Sequence, residues 1–331
     1  MQDQRMQSSS KLFPVALVSA ELRGDLTEDI YRLKPGNSPD SSVVLALTRL
    51  GLPNAAASAR IPVILLHGAF SNRRFWYSPK GVGLGAFLAR AGFDIWLAEA
   101  RGHGLSPRNL KYRFNTVADY ARYDLPAIAA FVAEKSGQKP HWVGHSMGGV
   151  TLAAAVGGNY LGEQQVASLG LFGSQVSRTY WPLKVPPVAW TGRALLKRCE
   201  VISGSRLERG PEDEPIGVGI ESLRWHGLFG RFGDKQSDWW AGLAEARMPL
   251  LAVSARADKS DPASACRKLF EQFGSTRKQF VLLGSQDGYS SDYGHVEMLV
   301  SKAAMQEVWP MLAQWLRYQQ IALPRMDQQP V

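Results

Sequence analysis

Six short stretches of the chain are apolar at almost every position: PVILLH (62–67), FDIWLA (93–98), HWVGH (141–145), SLGLFG (168–173), PLLAVSA (249–255) and QFVLLG (279–284). A strand covered by helices on both faces shows no polar alternation, so these runs predict the inner strands of a parallel sheet. Between them the period changes. In TVADYARYDLPAIAAFVAEKSG, Val117, Ala121, Leu125, Ile128 and Val132 recur at helical spacing, and Pro126 is expected to bend or restart that helix. Strands alternating with such helices are the pattern of a sheet built through crossover connections. Ahead of the first inner strand, VSAELRGDLTEDIYRLKPG and SSVVLALTRLG read as antiparallel edge strands.

From about 176 to 247 the alternation stops, and prolines, glycines and Trp181, Trp190, Trp225, Trp239 and Trp240 take its place. This stretch reads as a cap inserted over the C-terminal edge of the sheet, where α/β folds bind ligands. The predicted organisation is a core in two parts, 1–175 and 248–320, a cap at 176–247, and a tail at 321–331 in which LPRMDQQPV frays.

The 331 residues, 45% hydrophobic and 20% charged, fit a soluble globular protein with a sizeable core. The net charge of +9 is spread through the chain without a basic run, which argues against a nucleic-acid partner. It leaves weak peripheral contact with an anionic membrane as a second reading. Cys199 and Cys266 predict two separate thiols, neither a disulfide nor metal ligands. The apolar run near the N-terminus is too short for a secretory segment and no stretch reaches the length of a membrane span, so the expected location is cytoplasmic.

The chemistry centres on WVGHSMGG (142–149), which follows a predicted strand and precedes a helical pattern. A nucleophile elbow turns so sharply that the residues two before and two after the serine must be small. Gly144 and Gly148 meet that need around Ser146. A serine hydroxyl needs a base, and the base an orienting carboxylate. His295, in the loop after the last predicted strand, fits the base better than His226, which lies inside the cap. Asp258 and Asp261 both follow PLLAVSA; Asp261 precedes Pro262 and is expected to cap a helix, which leaves Asp258 as the acid. Asp292 stands on the wrong side of that order. An oxyanion needs two backbone donors: the Met147 amide, and Ala69 (with Phe70 as alternative) after Gly68, where the backbone can approach closely. His67 and His103 read as packing residues, and His145 is open between structure and chemistry. Arg101, Arg178 and Arg224 are candidates for a substrate anion, more simply explained as ion-paired or solvated.

The order LLHG, RGHGLS, GHSMGG, loop aspartate, GHVEML resembles the α/β-hydrolase superfamily over about residues 45–320. Over 61–150, GFDIWLAEARGHGLSPRN and the segment ending in GHSMGG are more similar to the acid lipases, the gastric and lysosomal group. The resemblance implies the α/β-hydrolase fold, a mostly parallel central sheet with helices on both faces and a helical cap. It also implies Ser146 as nucleophile, His295 as base, Asp258 as acid and Ala69 with Met147 as oxyanion donors, with no cofactor and no metal. Acid lipases are secreted or lysosomal, so triglyceride digestion is not carried over. Their lid is only loosely matched in 176–247, and Glu99 stands where many relatives carry aspartate. The expected function is that of a serine hydrolase acting on small-molecule carboxylic esters, medium-chain or lipid-like, with the cap tryptophans as acyl surface or as the cap's own core. Alternatives are an acyltransferase or thioesterase on the same triad and a membrane-associated lipid hydrolase; a non-catalytic binding module is disfavoured because every triad candidate is present.

Overall fold

Each of the six apolar runs forms a strand of one nine-stranded sheet. The computed structural model describes residues 8–53, 60–177, 181–226, 228 and 230–322; the tail expected to fray at 323–331, Arg178 and residues 1–7 lie outside them. In chain order the strands are β1 (Val15–Arg23), β2 (Leu26–Leu33), β3 (Leu45–Gly51), β4 (Pro62–Leu66), β5 (Asp94–Ala98), β6 (His141–His145), β7 (Leu169–Phe172), the short pair β8 (Val201–Ile202) and β9 (Glu214–Pro215), β10 (Leu250–Ala255) and β11 (Lys278–Leu283). The sheet order is β1-β2-β3-β5-β4-β6-β7-β10-β11, with β8 and β9 paired separately. β1, β2 and β3 pair antiparallel and β3 joins β5 antiparallel, as the edge-strand reading expects, while every pair from β5 to β11 is parallel.

The helices used below are α1 (Leu84–Arg90), α2 (Leu125–Ser136), α3 (Met147–Gly157), α4 (Pro186–Leu196), α5 (Ile216–His226), α6 (Trp239–Leu243), α7 (Ala263–Gln272) and α8 (Lys302–Tyr318). Successive strand residues point to opposite faces, and both faces are covered. Ile64 and Trp142 pack with Ile128, Phe131 and Leu152 on one side; Val63, Leu65 and Val143 pack with Leu88, Leu312 and Trp315 on the other. This is why β4, β5, β6 and β10 are buried at every position and carry no polar alternation.

Pro126 does restart a helix. Val117–Asp119 begins under a capping box from Thr116, a five-residue π turn follows over Tyr120–Asp124, and α2 then starts with Pro126 in its first turn, where a missing N–H breaks no bond. The π turn delivers Asp124 to Arg101, whose Nε and Nη2 donate to the two carboxylate oxygens at 2.7 Å each. Burial pushes the Asp124 carboxyl up to about 6 even against that guanidinium. Arg101 is thus spent inside the fold rather than offered to a substrate, and Arg224 likewise donates to the Gly233 carbonyl at 2.5 Å and lies 3.5 Å from Glu221. Arg101→Met would strand a buried carboxylate and is expected to destabilise the protein by about 3–5 kcal/mol at neutral pH. An unchanged urea midpoint would refute this.

Candidate active site

The turn between β6 and α3 holds Ser146 at φ 52°, ψ −121°, a strained conformation for a residue with a side chain. The turn closes only because its flanks are bare. A Cβ on Gly144 would fall 2.5 Å from Gly149 N, and one on Gly148 would fall 2.5 Å from Leu66 O. Ser146 begins α3 without a side-chain capping bond, so its hydroxyl is not used to end the helix. The Ser146 amide donates to Phe172 O on β7 at 2.8 Å, which pins the turn to the neighbouring strand.

His295 and Asp258 arrive from the loops after β11 and β10. His295 Nδ1 lies 2.8 Å from Asp258 Oδ2, and both sit over Gly173, just beyond Phe172: a Cβ there would come 3.2 Å from each of those atoms. Asp258 is buried, and its other oxygen accepts from the amides of Ser260 and Asp261 at 2.9 and 2.8 Å. Burial works against charge on His295, but the bond and charge of Asp258, with Asp261 and Glu297, more than offset it and hold its pKa above the usual 6.5. His145, below it, donates from Nε2 to the His295 carbonyl at 2.9 Å, and burial keeps its ring neutral, down to about 3. It holds His295 in place through the backbone.

Asp261 departs from expectation. It does not cap α7, whose N-cap is Pro262 with no side-chain bond. Proline fixes the chain direction and the carboxylate turns inward: Oδ2 is 3.4 Å from Ser146 Oγ and 3.8 Å from His295 Nδ1, and Oδ1 accepts from Gln175 Nε2 at 3.0 Å. Among the described residues, the Ser146 hydroxyl therefore bonds Asp261 and no hydrogen bond joins it to His295. Asp292 is bound to its own loop, accepting from Ser285. His226 ends α5 and lines a separate cleft.

Gly68 brings the loop after β4 against the elbow, where a Cβ would come 3.1 Å from Ser146 Cβ. Ala69 follows it, and among the described residues neither its amide nor that of Met147 donates a hydrogen bond. Phe70, the alternative donor, is committed: at φ 59° its amide donates to Glu214 Oε1 at 2.7 Å and its carbonyl accepts from Glu212. Glu214 reaches this loop from β9 and also meets His103 Nε2 at 3.1 Å, while His103 Nδ1 faces the Arg101 carbonyl. Both ring nitrogens face acceptors, which suits the imidazolium. Burial would push each partner toward neutrality, yet their mutual charge holds His103 above and Glu214 below its usual value. His67 accepts the Ala100 amide and packs, as expected. Glu99 accepts the amides of Arg73 and Leu105, a structural use of its longer side chain.

The segment between β7 and β10 carries α4, the β8–β9 pair, α5 and α6. Trp225, Phe232 and Trp239 meet edge-on with ring centroids 5.1 to 5.7 Å apart and belong to the same buried cluster as Leu152 and Val156 of α3. Trp225, Phe232 and Trp240 line a cleft of about 280 Å³ with Val176, Lys184 and Lys268. Among the described residues no group of His, Cys, Asp and Glu is arranged to hold a metal ion.

A family model described as alpha/beta hydrolase fold matches residues 61–191. Among solved structures, an esterase from Thermogutta terrifontis superposes with a TM-score of 0.58 at 18% identity, covering 86% of this chain and 97% of that one. The monoacylglycerol lipase of Paleococcus ferrophilus gives 0.56 at 17% identity over 82% and 98%. This chain has the α/β-hydrolase fold.

In sequence, the chain is similar to human gastric triacylglycerol lipase, 36% identical over 134 residues, which is 37% of this chain and 31% of the lipase. It is similar to human lipase member N, 31% identical over 121 residues. The matches span about a third of these relatives. No described helix is long and apolar enough to cross a membrane. Sequence reasoning missed Glu214 and Gln175 and misassigned the direction of Asp261. Glu214 lies in an irregular stretch with no period to flag it, although a glutamate beside the rigid Pro215 was the one local sign.

Proposed function

We propose that this α/β-hydrolase cleaves carboxylic esters through an acyl-enzyme on Ser146. The observation that carries the reading is the strained Ser146 backbone, which holds the hydroxyl clear of its own helix beside the His295–Asp258 pair. The hydroxyl turns from Asp261 toward His295, and Oγ attacks the carbonyl as the imidazole takes its proton. The amides of Ala69 and Met147 receive the oxyanion. Collapse expels the alcohol, which takes the proton from the imidazolium; water then repeats the cycle and releases the acid. Asp258 holds the Nδ1–H tautomer throughout. The segment at 176–247 acts as the cap.

The test is hydrolysis of 4-nitrophenyl esters from acetate to palmitate. A rate maximum at one chain length supports the reading and measures the acyl site; no turnover at any length removes it. His295 must be unprotonated to accept the proton, and its pKa is held above 6.5. kcat/KM is therefore expected to rise with pH through a midpoint above that value and to plateau beyond it. A flat profile between pH 5 and 9 would exclude a histidine base.

One further observation favours a membrane-associated form of this reading. On α4, Val188, Trp190 and Leu195 are 44%, 67% and 56% exposed, in a chain of net charge +9. Adsorption to anionic vesicles that weakens with salt is the expected result; no binding at low salt rules it out.

A further inference from the structure

The Asp261 carboxylate has no structural duty that explains its place. It leaves α7 uncapped, its side chain is 15% exposed, and it stands 3.4 Å from the Ser146 hydroxyl with Gln175 holding its far oxygen. Nor is it needed to orient the base, because His295 Nδ1 is already taken by Asp258 at 2.8 Å against 3.8 Å for Asp261. For a neutral ester its charge is a handicap. The tetrahedral intermediate and the acid product are both anionic, and a carboxylate this near to Oγ opposes both. Burial raises its pKa, while His295 and the Gln175 amide act to keep it ionised. A negative charge is favourable at this position when the substrate brings a positive one.

We propose that Asp261, fixed by Gln175, receives a cationic group of the substrate, so that the preferred substrates are carboxylic esters bearing an ammonium group close to the scissile carbonyl. This deepens the reading of Ser146 as nucleophile and rests on it. The ammonium N–H donates to Oδ2 in place of the serine hydroxyl, which is then released to turn toward His295. No proton is gained or lost in that exchange. Binding the cation and arming the nucleophile become one event. The ammonium can belong to the acyl half, as in an α-amino ester, or to the alcohol half, as in an amino-alcohol ester; both present the same chemistry to the carboxylate.

The experiment compares isosteric pairs near pH 7, where the amines are largely protonated. The acyl arm sets alanine ethyl ester against ethyl isobutyrate; the alcohol arm sets 2-(dimethylamino)ethyl butyrate against 3-methylbutyl butyrate. Each kcat/KM is divided by the hydroxide-catalysed rate of the same ester, which removes intrinsic reactivity. The expected result is a cationic-over-neutral ratio of about tenfold or more in one arm, falling to within about threefold of unity in Asp261→Asn and partly kept in Asp261→Glu. The arm that responds identifies the half carrying the ammonium. A wild-type ratio near unity in both arms, with the neutral esters still turned over, overturns the proposal and leaves the ester hydrolase standing. That measurement needs no variant to fold. A preference that survives Asp261→Asn, or equal loss on both members of a pair, also overturns it, the latter pointing to support of the imidazolium instead. No turnover of any ester removes both readings.

Discussion

Ser146→Ala is expected to lower kcat for a 4-nitrophenyl ester by roughly 10³- to 10⁶-fold, the range left when a nucleophile is removed and the oxyanion donors remain. The variant should fold. Alanine tolerates the same φ as serine no worse, and the only side-chain bond lost is the 3.4 Å contact to Asp261, with no capping bond involved. A melting temperature close to wild type with activity near background assigns the loss to chemistry. Retention of a tenth or more of the activity would mean that another group attacks the ester or activates water, and the elbow would then be a packing feature. Covalent labelling by a fluorophosphonate in the wild type and its absence in the variant gives the same answer independently of the ester chosen.

Asp258→Asn is expected to cost about 10⁴-fold in kcat. An asparagine keeps an oxygen for the amides of Ser260 and Asp261, so the loop survives, but it presents an NH₂ to His295 and favours the tautomer with its proton on the wrong nitrogen. The comparison that matters is with Asp261→Asn on the same neutral ester. The two carboxylates differ by 2.8 against 3.8 Å at Nδ1, so the larger loss belongs at 258. The reverse ranking would move the orienting role to Asp261. The pH profile supplies a second readout: without the Asp258 charge, the midpoint of the rise should fall.

The strands were legible because burial on both faces leaves an unbroken apolar run, and β4, β5, β6 and β10 lie where those runs lie. The glycines at 144 and 148 were legible from their spacing about Ser146: a Cβ on Gly144 would strike the turn itself, and one on Gly148 the backbone of Leu66 beside it. Contacts made across the fold left no such mark. Asp261 before Pro262 has the local sequence of a helix cap, and only the path of the chain after β10 turns its carboxylate toward Ser146. The same holds for Arg101. In the sequence it is one scattered cation among many; the π turn at 120–124 that brings Asp124 to it has no period to announce it. The pairing of Glu214 with His103 joins residues 111 positions apart, beyond anything a motif or a period can report.

That last pairing bears on how such a protein can be altered. Glu214 comes from the segment between β7 and β10, yet its carboxylate fixes the Phe70 amide, one residue beyond the proposed oxyanion donor Ala69, and balances the charge of His103 in the core. The segment is accordingly not an interchangeable part. On the proposed function, exchanging it for one of different sequence, to change which ester fits, would also unseat the loop proposed to meet the carbonyl and leave a buried histidine without its counter-ion. Specificity and turnover would shift together, and a transplant that carried over Glu214 and its flanking turn would keep them separable.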